Sequence, residues 1–516
     1  MNKNGSDAFR KPESYSSSTT DLTSSHPPQS AEQAVKSLVP TEVPAPDVSL
    51  APTPEQQEVA TAHPVGEIVV APADSDTARV GSGRRLRPHI RKPRVPRMRA
   101  PHIQPRVPRI RPVRVHTFDS FLHRDYRFLW ASTLFFSGAF WMQQVIIGWL
   151  TYQLTQSALL TSLVMGLDAL PILIAGPLGG LLVDRWDKRK LLAGVFVYQS
   201  LLALGFGALV LLGDVNAWHV FGFVFLMGVG WVIADPARMA LIPSIVPRHS
   251  LVNAFALNSL AFSITRLAIP AAGGALLAIA GAGAALLLQG AIVAVGAAMA
   301  LGLGAFASAG QSKLSPRAAL SEILEGVRYI RENAVVLGLL LLGFIPAVLV
   351  SPFLHGLIPV YAAEVYKVGP ATLGLLMSAV GAGFLTGTLA LASLGDIQRK
   401  GLMIMGCIAL ICVSMAALAL SPTITMAYPL VAIGSMGTMG FFSITSATMQ
   451  SILPDGIRGR VSGIYIMTFG AMPLGNLTAG VISESMGAPT ATLIACGLIV
   501  VAASALMVLF PSLRRL

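Results

Sequence analysis

Charge is what this 516-residue sequence has least of: Asp, Glu, Lys and Arg together make up 12% of it, against about 25% in an ordinary soluble domain. With 53% apolar residues and a mean hydropathy of +0.66, that scarcity excludes an ordinary soluble enzyme. It also excludes low-hydrophobicity disorder over most of the chain. Cysteine is nearly missing as well. Cys407, Cys412 and Cys496 all lie in apolar runs, which leaves no disulfide framework and no metal-ligand spacing. The 49 glycines and 34 prolines follow no Gly-X-Y period, so a collagen-like chain is excluded too.

The charge that is present is lopsided, at +12 overall. Residues 1–116 hold 17 Lys/Arg and 11 Asp/Glu, a net of +6. Residues 1–78 are rich in Ser, Thr, Pro, Ala and acids and have no sustained apolar period, so disorder is expected there. Residues 79–114 carry 13 Lys/Arg, no acid and 7 prolines. Proline at that density forbids a regular helix and predicts an extended, polyproline-like basic segment. The first 20 residues contain no apolar core, so no cleavable secretory signal is expected.

From Thr117 onward, apolar stretches of about 20 residues recur, the length a helix needs to cross a bilayer. Twelve are read, at roughly 128–152, 158–182, 191–212, 217–238, 253–279, 284–306, 335–356, 371–394, 402–420, 424–447, 461–483 and 490–510. Residues 117–516 carry 20 Lys/Arg and 14 Asp/Glu. Of those 20 cations, 17 fall before the first span, in the even-to-odd loops or after the last span. Lys367 is on the opposite side, and Arg238 and Arg266 lie within spans. Positive charge is retained on the cytoplasmic side, which predicts cytoplasmic termini.

The expected organisation is a cytoplasmic tail over 1–116, a six-helix bundle over 117–306, a linker over 307–334, and a second bundle with a short basic tail over 335–516. Within the linker, Ser315-Pro316 can start a helix whose apolar face is Leu320, Ile323, Leu324, Val327 and Ile330, lying on the membrane surface. The two halves look alike: Ile245-Val-Pro247 parallels Ile452-Leu-Pro454, and Pro270-Ala-Ala-Gly273 parallels Pro473-Leu-Gly475. Paired six-span halves are a common transporter architecture, with the substrate path between them.

The segment Gly180-Leu-Leu-Val-Asp184-Arg185-Trp-Asp187-Lys188-Arg189 resembles the loop signature of the major facilitator superfamily, Gly-x-Leu-Ala-Asp-Arg-x-Gly-Arg-Arg. It departs at Asp187, where Gly is usual. Asp235-Pro-Ala-Arg238-Met-Ala-Leu-Ile-Pro243, then Asn253-Ala, Asn258-Ser and Leu453-Pro-Asp-Gly-Ile-Arg458-Gly-Arg460-Val, narrow the resemblance. They are similar to the bacterial branch that includes enterobactin exporters and macrolide efflux pumps. The likeness runs over about 117–512. It implies an all-α membrane fold of twelve helices in two pseudo-symmetric bundles, working as a rocker-switch carrier and usually as a proton-driven exporter.

Candidate functional residues follow from depth and charge. Gly180, Asp184, Arg185, Lys188 and Arg189, with Asp235 and Arg238, form a candidate inner gate, in which an Asp184–Arg238 pair would hold one of two packings. A plain topogenic loop is the alternative, and Asp235 and Arg238, spaced i,i+3, are able to neutralise each other instead. Arg266 and Asp168 are the two intramembrane charges of opposite sign, each on the order of 20 Å along its helix from the inner end. They are read as proton-coupling candidates, Asp168 being tuned by burial near Arg266, with a structural ion pair as the alternative. Pro270, Gly273 and Gly274 resemble the Gly-Pro-x-x-Gly-Gly helix-kink signature of drug/proton antiporters, with Ile269 replacing the first Gly. Ordinary small-residue packing explains them as readily.

Trp141, Gln143, Gln144, Asn258 and Gln289 are candidate cavity residues. Met436, Met439, Met467 and Met472 are candidates for an adaptable apolar wall. The sequence has no phosphate-binding Gly-x-x-x-x-Gly-Lys-[Ser/Thr] loop, no His-Glu-x-x-His and no nucleophile elbow, so ATP-driven or hydrolytic chemistry and cofactors are not expected. The expected partners are a small-molecule substrate, protons and membrane lipids. For the basic tail, attraction to anionic headgroups or control of topology is a simpler reading than nucleic-acid binding, and a solvated linker with no role is the default. Nucleic acid is not expected, and the protein is read as a monomer. The expected activity is export of a siderophore or drug-like molecule by alternating access with proton antiport. A non-transporting sensor or an uncoupled facilitator on the same fold are the alternatives.

Overall fold

A computed structural model describes residues 118–174, 182–183, 186–304, 316–395 and 399–515. The tail over 1–116 and the start of the linker therefore lie outside the described residues. Helices account for nearly all of the rest. They are α1 (Arg124–Thr155), α2 (Ala158–Leu167), α3 (Lys188–Leu212), α4 (Ala217–Ile245), α5 (Leu251–Leu301) and α6 (Pro316–Glu332). Then come α7 (Ala334–Val365), α8 (Pro370–Leu394), α9 (Lys400–Ala419), α10 (Ile424–Ile452), α11 (Asp455–Met486) and α12 (Ala488–Leu509).

Among the described residues, ten of these stretches are long and apolar enough to cross a membrane. Two features reconcile ten with the twelve spans expected. The 51-residue α5 leaves helical geometry at Gly281, where φ is 78°. At 1.5 Å per residue a straight helix of that length would be about 75 Å long, far beyond a bilayer. A left-handed φ without a Cβ penalty turns it into two arms, one span each. The missing span is α2, which stops at a turn over Asp168–Ala169 and resumes through Ile174.

Local chemistry sets the ends. Ser157 caps α2, Asn216 closes a capping box on α4 with His219, and Asn333 caps α7 through the Val335 and Val336 amides. Asp187 caps α3, its carboxylate accepting from the Arg189 amide at 2.9 Å and the Lys190 amide at 3.3 Å. The place where the loop signature usually has Gly is thus used here as a helix cap.

The seventh span is longer than expected, running to Val365 rather than ending near 356. Pro346, Pro352 and Pro359 each remove a backbone donor inside it, and π-type turns at Pro346–Val350, Pro352–Gly356 and Tyr361–Val365 absorb the missing bonds. In α11 a 3-10 turn at Thr468–Ala471 precedes Pro473 in the same way.

The outer surfaces of the bundles are apolar. Leu201, Val413 and Val501 are 64%, 69% and 66% exposed, a pattern that suits lipid rather than water. Several buried hydroxyls are satisfied within their own helices, as when Thr133 donates to the Leu129 carbonyl and Thr151 to that of Ile147, both at 2.8 Å. Residues before α6 form one half and those after it the other. The halves meet along α2 with α11, the first arm of α5 with α8, and α1 with α7.

Candidate functional site

Contacts between the halves concentrate at the end carrying the α1–α2, α7–α8 and α11–α12 turns, here termed the far end; the chain's described termini lie at the other. Glu484 of α11 accepts from the Ser157 hydroxyl at 3.1 Å and the Leu159 amide at 3.0 Å, at the start of α2. This places a carboxylate at a helix N-terminus. Ser162 donates to the Asn476 carbonyl at 2.9 Å. The first arm of α5 and α8 cross almost backbone to backbone. A Cβ added at Gly274 would lie 2.5 Å from the Pro370 carbonyl oxygen and 2.8 Å from Gly374 Cα, so neither position tolerates a side chain in this packing. Just below, the Ala271 amide donates to the Ser378 hydroxyl at 3.0 Å.

At the termini end, by contrast, the first part of α11 packs on α6 through an Arg460–Glu325 ion pair at 2.8 Å. Among the described residues, every hydrogen bond joining the two halves lies toward the far end or at mid-depth.

Between the halves is a cavity of about 310 Å³. Trp141, Gln143, Gln144 and Gln289 line it, with Asp168, Gln199 and His355 as further polar groups and Phe136, Phe140, Trp231 and Phe469 as aromatic ones. Gln289 donates to Gln143 Oε1 at 2.9 Å, and Gln199 donates to the Met227 carbonyl at 3.0 Å. Asp168 sits in the α2 break, its backbone against Gly228 of α4. Its carboxylate accepts from Gln144 Nε2 at 3.2 Å.

Arg266 is elsewhere. Its guanidinium lies 3.3 Å from the centroid of the Phe384 ring and 4.5 Å from that of Trp141. Its Nη2 is 3.4 Å from His355 Nε2. Asp168 and Arg266, whose contact the sequence leaves open, form no ion pair among the described residues: Asp168 is held by Gln144, and Arg266 by Trp141, Phe384 and His355.

Other expectations change place as well. Asn258 is not on the cavity. Its amide oxygen accepts from Arg238, which also pairs with Asp235 and lies 4.7 Å from the Phe262 centroid. Asn258 thus joins the Asp235–Arg238 set between α4 and α5, where Arg238 is buried. Gly180, Asp184 and Arg185 lie outside the described residues. Lys188 opens α3, and the Arg189 guanidinium donates to the Leu301 carbonyl. Gly273 faces Met142 of α1 rather than the other half. Of the methionines, Met472 lines the cavity. Met436 and Met439 pack on α8 at Gly387, and Met467 is not among the lining residues.

His355, Gln199 and Trp231 were missed by sequence reasoning. A lone His in an apolar, proline-rich stretch was the available signal for the first. Gln199 and Trp231 carry no pattern that separates them from packing residues.

Two mirrored helical halves, joined at one end and enclosing a polar-floored cavity at mid-depth, define a secondary transporter of the major facilitator type. The profile of the transmembrane secretion effector family matches residues 115–515, and the chain belongs to that family. It is 25% identical to macrolide efflux protein A of Streptococcus pyogenes over 67% of this chain and 86% of that one. It is 26% identical to the multidrug efflux pump Tap of Mycolicibacterium fortuitum, over 72% and 92%. To the enterobactin exporter EntS of Citrobacter koseri it is 25% identical, over 65% and 80%. Among solved structures, a bacterial homologue of the human lysosomal transporter Spinster superposes with a TM-score of 0.58 at 16% identity, covering 76% of this chain and 99% of that one. That likeness shows the fold. The protein is a multi-pass membrane transporter that exports small molecules, and its relatives are transport proteins rather than enzymes.

Proposed function

We propose that the chain exports a drug- or siderophore-sized organic molecule across the cytoplasmic membrane by alternating access, driven by proton antiport, as a monomer with both termini cytoplasmic. The observation that carries this reading is the cavity, closed at the far end by contacts between the halves and floored by Asp168, a carboxylate that among the described residues pairs with no cation. Orientation draws support from the cations Arg124, Arg127, Lys190, Arg248, Arg399, Lys400 and Arg458, all placed at the termini end. With that end cytoplasmic, the far end is external and the arrangement is inward-facing, ready to load solute. The substrates named for the relatives, macrolides, drugs and enterobactin, set the size class.

Domain boundaries follow the sequence: a tail over 1–116, bundles over 117–306 and 335–516, and a linker over 307–334. The basic part of the tail sits against anionic headgroups. The inner gate combines Asp184 and Arg185 with the Asp235–Arg238–Asn258 set. Asp168 takes a proton when the cavity faces outward, displacing solute, and returns it to the cytoplasm when the cavity faces inward.

The test is efflux from proteoliposomes with a pH gradient imposed and then collapsed. Asp168→Asn is expected to retain solute exchange at equal pH while gradient-driven flux falls by about tenfold or more. Wild-type flux insensitive to the gradient would make the protein a facilitator. No flux for any of a broad panel would make it a sensor.

A further inference from the structure

Behind the part of the cavity wall formed by Trp141 and His355 lies a positive charge, Arg266, that no acid answers among the described residues. Among the described residues, none of the ion pairs involves Arg266, and Asp168 is occupied by Gln144. The rings of Phe384 and Trp141 cover the guanidinium. Cation–π contact satisfies the face of a guanidinium but leaves its N–H donors, which lie in its plane, unused.

The neighbouring donors are in the same position. Arg only donates, so His355 Nε2 accepts from it and the ring proton sits on Nδ1. His355 Nδ1, Trp141 Nε1 and Arg266 Nε are all buried without a partner. Trp141 and His355 line the cavity, and their rings stack with centroids 6.3 Å apart. A buried cation whose own Nε is unused, beside two further unused N–H donors, favours a ligand that brings negative charge and acceptor oxygens.

We infer that this wall is the docking site for an anionic oxygen group, a carboxylate or phenolate, on the exported solute. The transporter then selects organic anions whose apolar body lies against Trp231, Phe469 and Met472. This rests on the export reading above and names the class of solute.

The experiment uses the full chain in lipid nanodiscs and three size-matched probes: 2-naphthoate, 2-naphthalenemethanol and 2-naphthylmethylammonium. Binding is measured by calorimetry. Naphthoate is expected to bind about tenfold or more tightly than either of the others, as a charge-assisted hydrogen-bonded pair requires. Arg266→Gln should remove that advantage, Arg266→Lys should keep most of it, and Trp141→Phe should weaken naphthoate alone by a few-fold. If Arg266→Gln does not fold, the lysine and phenylalanine variants decide.

Equal binding of the three probes would overturn the inference. So would an anion preference that survives Arg266→Gln, or displacement of naphthoate by millimolar chloride. Efflux from proteoliposomes separates this from the parent reading. Naphthoate that binds but is never moved counts against export. A solute moved without any anion preference leaves export standing and removes the anion site.

Discussion

Arg238 and Arg266 both sit within membrane-crossing helices, yet among the described residues only Arg238 has an acid beside it. Sequence spacing gave Arg238 its i,i+3 partner, Asp235, and periodicity gave the depth of both arginines. Neither says how helices are rotated against one another, and rotation decides which polar residue faces a cavity. Gln143, Gln144 and Gln289 were legible because they sit in runs with few other polar groups. Asn258 was misplaced because its partner, Arg238, is on another helix. The structure therefore predicts a separation of effects. Asn258→Ala strips an acceptor from a buried guanidinium and should cost about 1–3 kcal/mol, read as a lower melting temperature in nanodiscs with solute affinity unchanged. Gln289→Ala, on the cavity wall, should lower affinity as well as stability, because it also removes the donor to the buried Gln143 Oε1. Reduced affinity in Asn258→Ala with intact stability would return Asn258 to the cavity.

At the scale of elements, existence and order of the helices were readable from hydrophobic length alone, since a bilayer imposes about 20 apolar residues on every crossing. The breaks were not. Proline marks α5, α7 and α11, but whether it ends a span or is absorbed by π-type turns depends on neighbours that re-satisfy the freed backbone groups. In α7 they do, so the helix continues to Val365 and His355 becomes an interior residue. The kink-motif glycines likewise had two readings, and the structure divides them. Gly273 meets a side chain of its own half, while Gly274 meets the backbone of the other half at Gly374. Gly374→Leu should accordingly push the first arm of α5 away from α8, at a cost of about 1–3 kcal/mol to the closed far end. Labelling of a cysteine placed at Ser378 by an impermeant maleimide added to intact cells measures this. Faster labelling in the Gly374→Leu background is expected, and an unchanged rate would show that the crossing relaxes without opening.

For the whole molecule, the decisive asymmetry is that the halves are hydrogen-bonded at one end and not, among the described residues, at the other. On the proposed alternating-access reading, with the far end external, the far-end set must break to release solute, because packed interfaces switch between discrete arrangements rather than deforming continuously. At the far end the halves are joined by a few hydrogen bonds, the Glu484 clasp on α2, the Ser162–Asn476 bond and the Ala271–Ser378 bond, and by close packing such as Gly274 on Gly374 and Gly148 on Pro359. The exposed Glu484 clasp contributes little, whereas the Ser162–Asn476 bond is buried, so opening has to replace a buried contact as well as a wet one. A covalent link there should stop the cycle. With Cys407, Cys412 and Cys496 replaced by Ala or Ser, the pair Ala271→Cys and Ser378→Cys puts two thiols across the α5–α8 crossing, where the native donor and acceptor are 3.0 Å apart. Oxidation should reduce efflux from proteoliposomes to background, and reduction should restore it. Each single-cysteine variant should be indifferent to both treatments. Full efflux by the cross-linked protein would mean that solute leaves without separation of α5 from α8, and the far end would not be the gate.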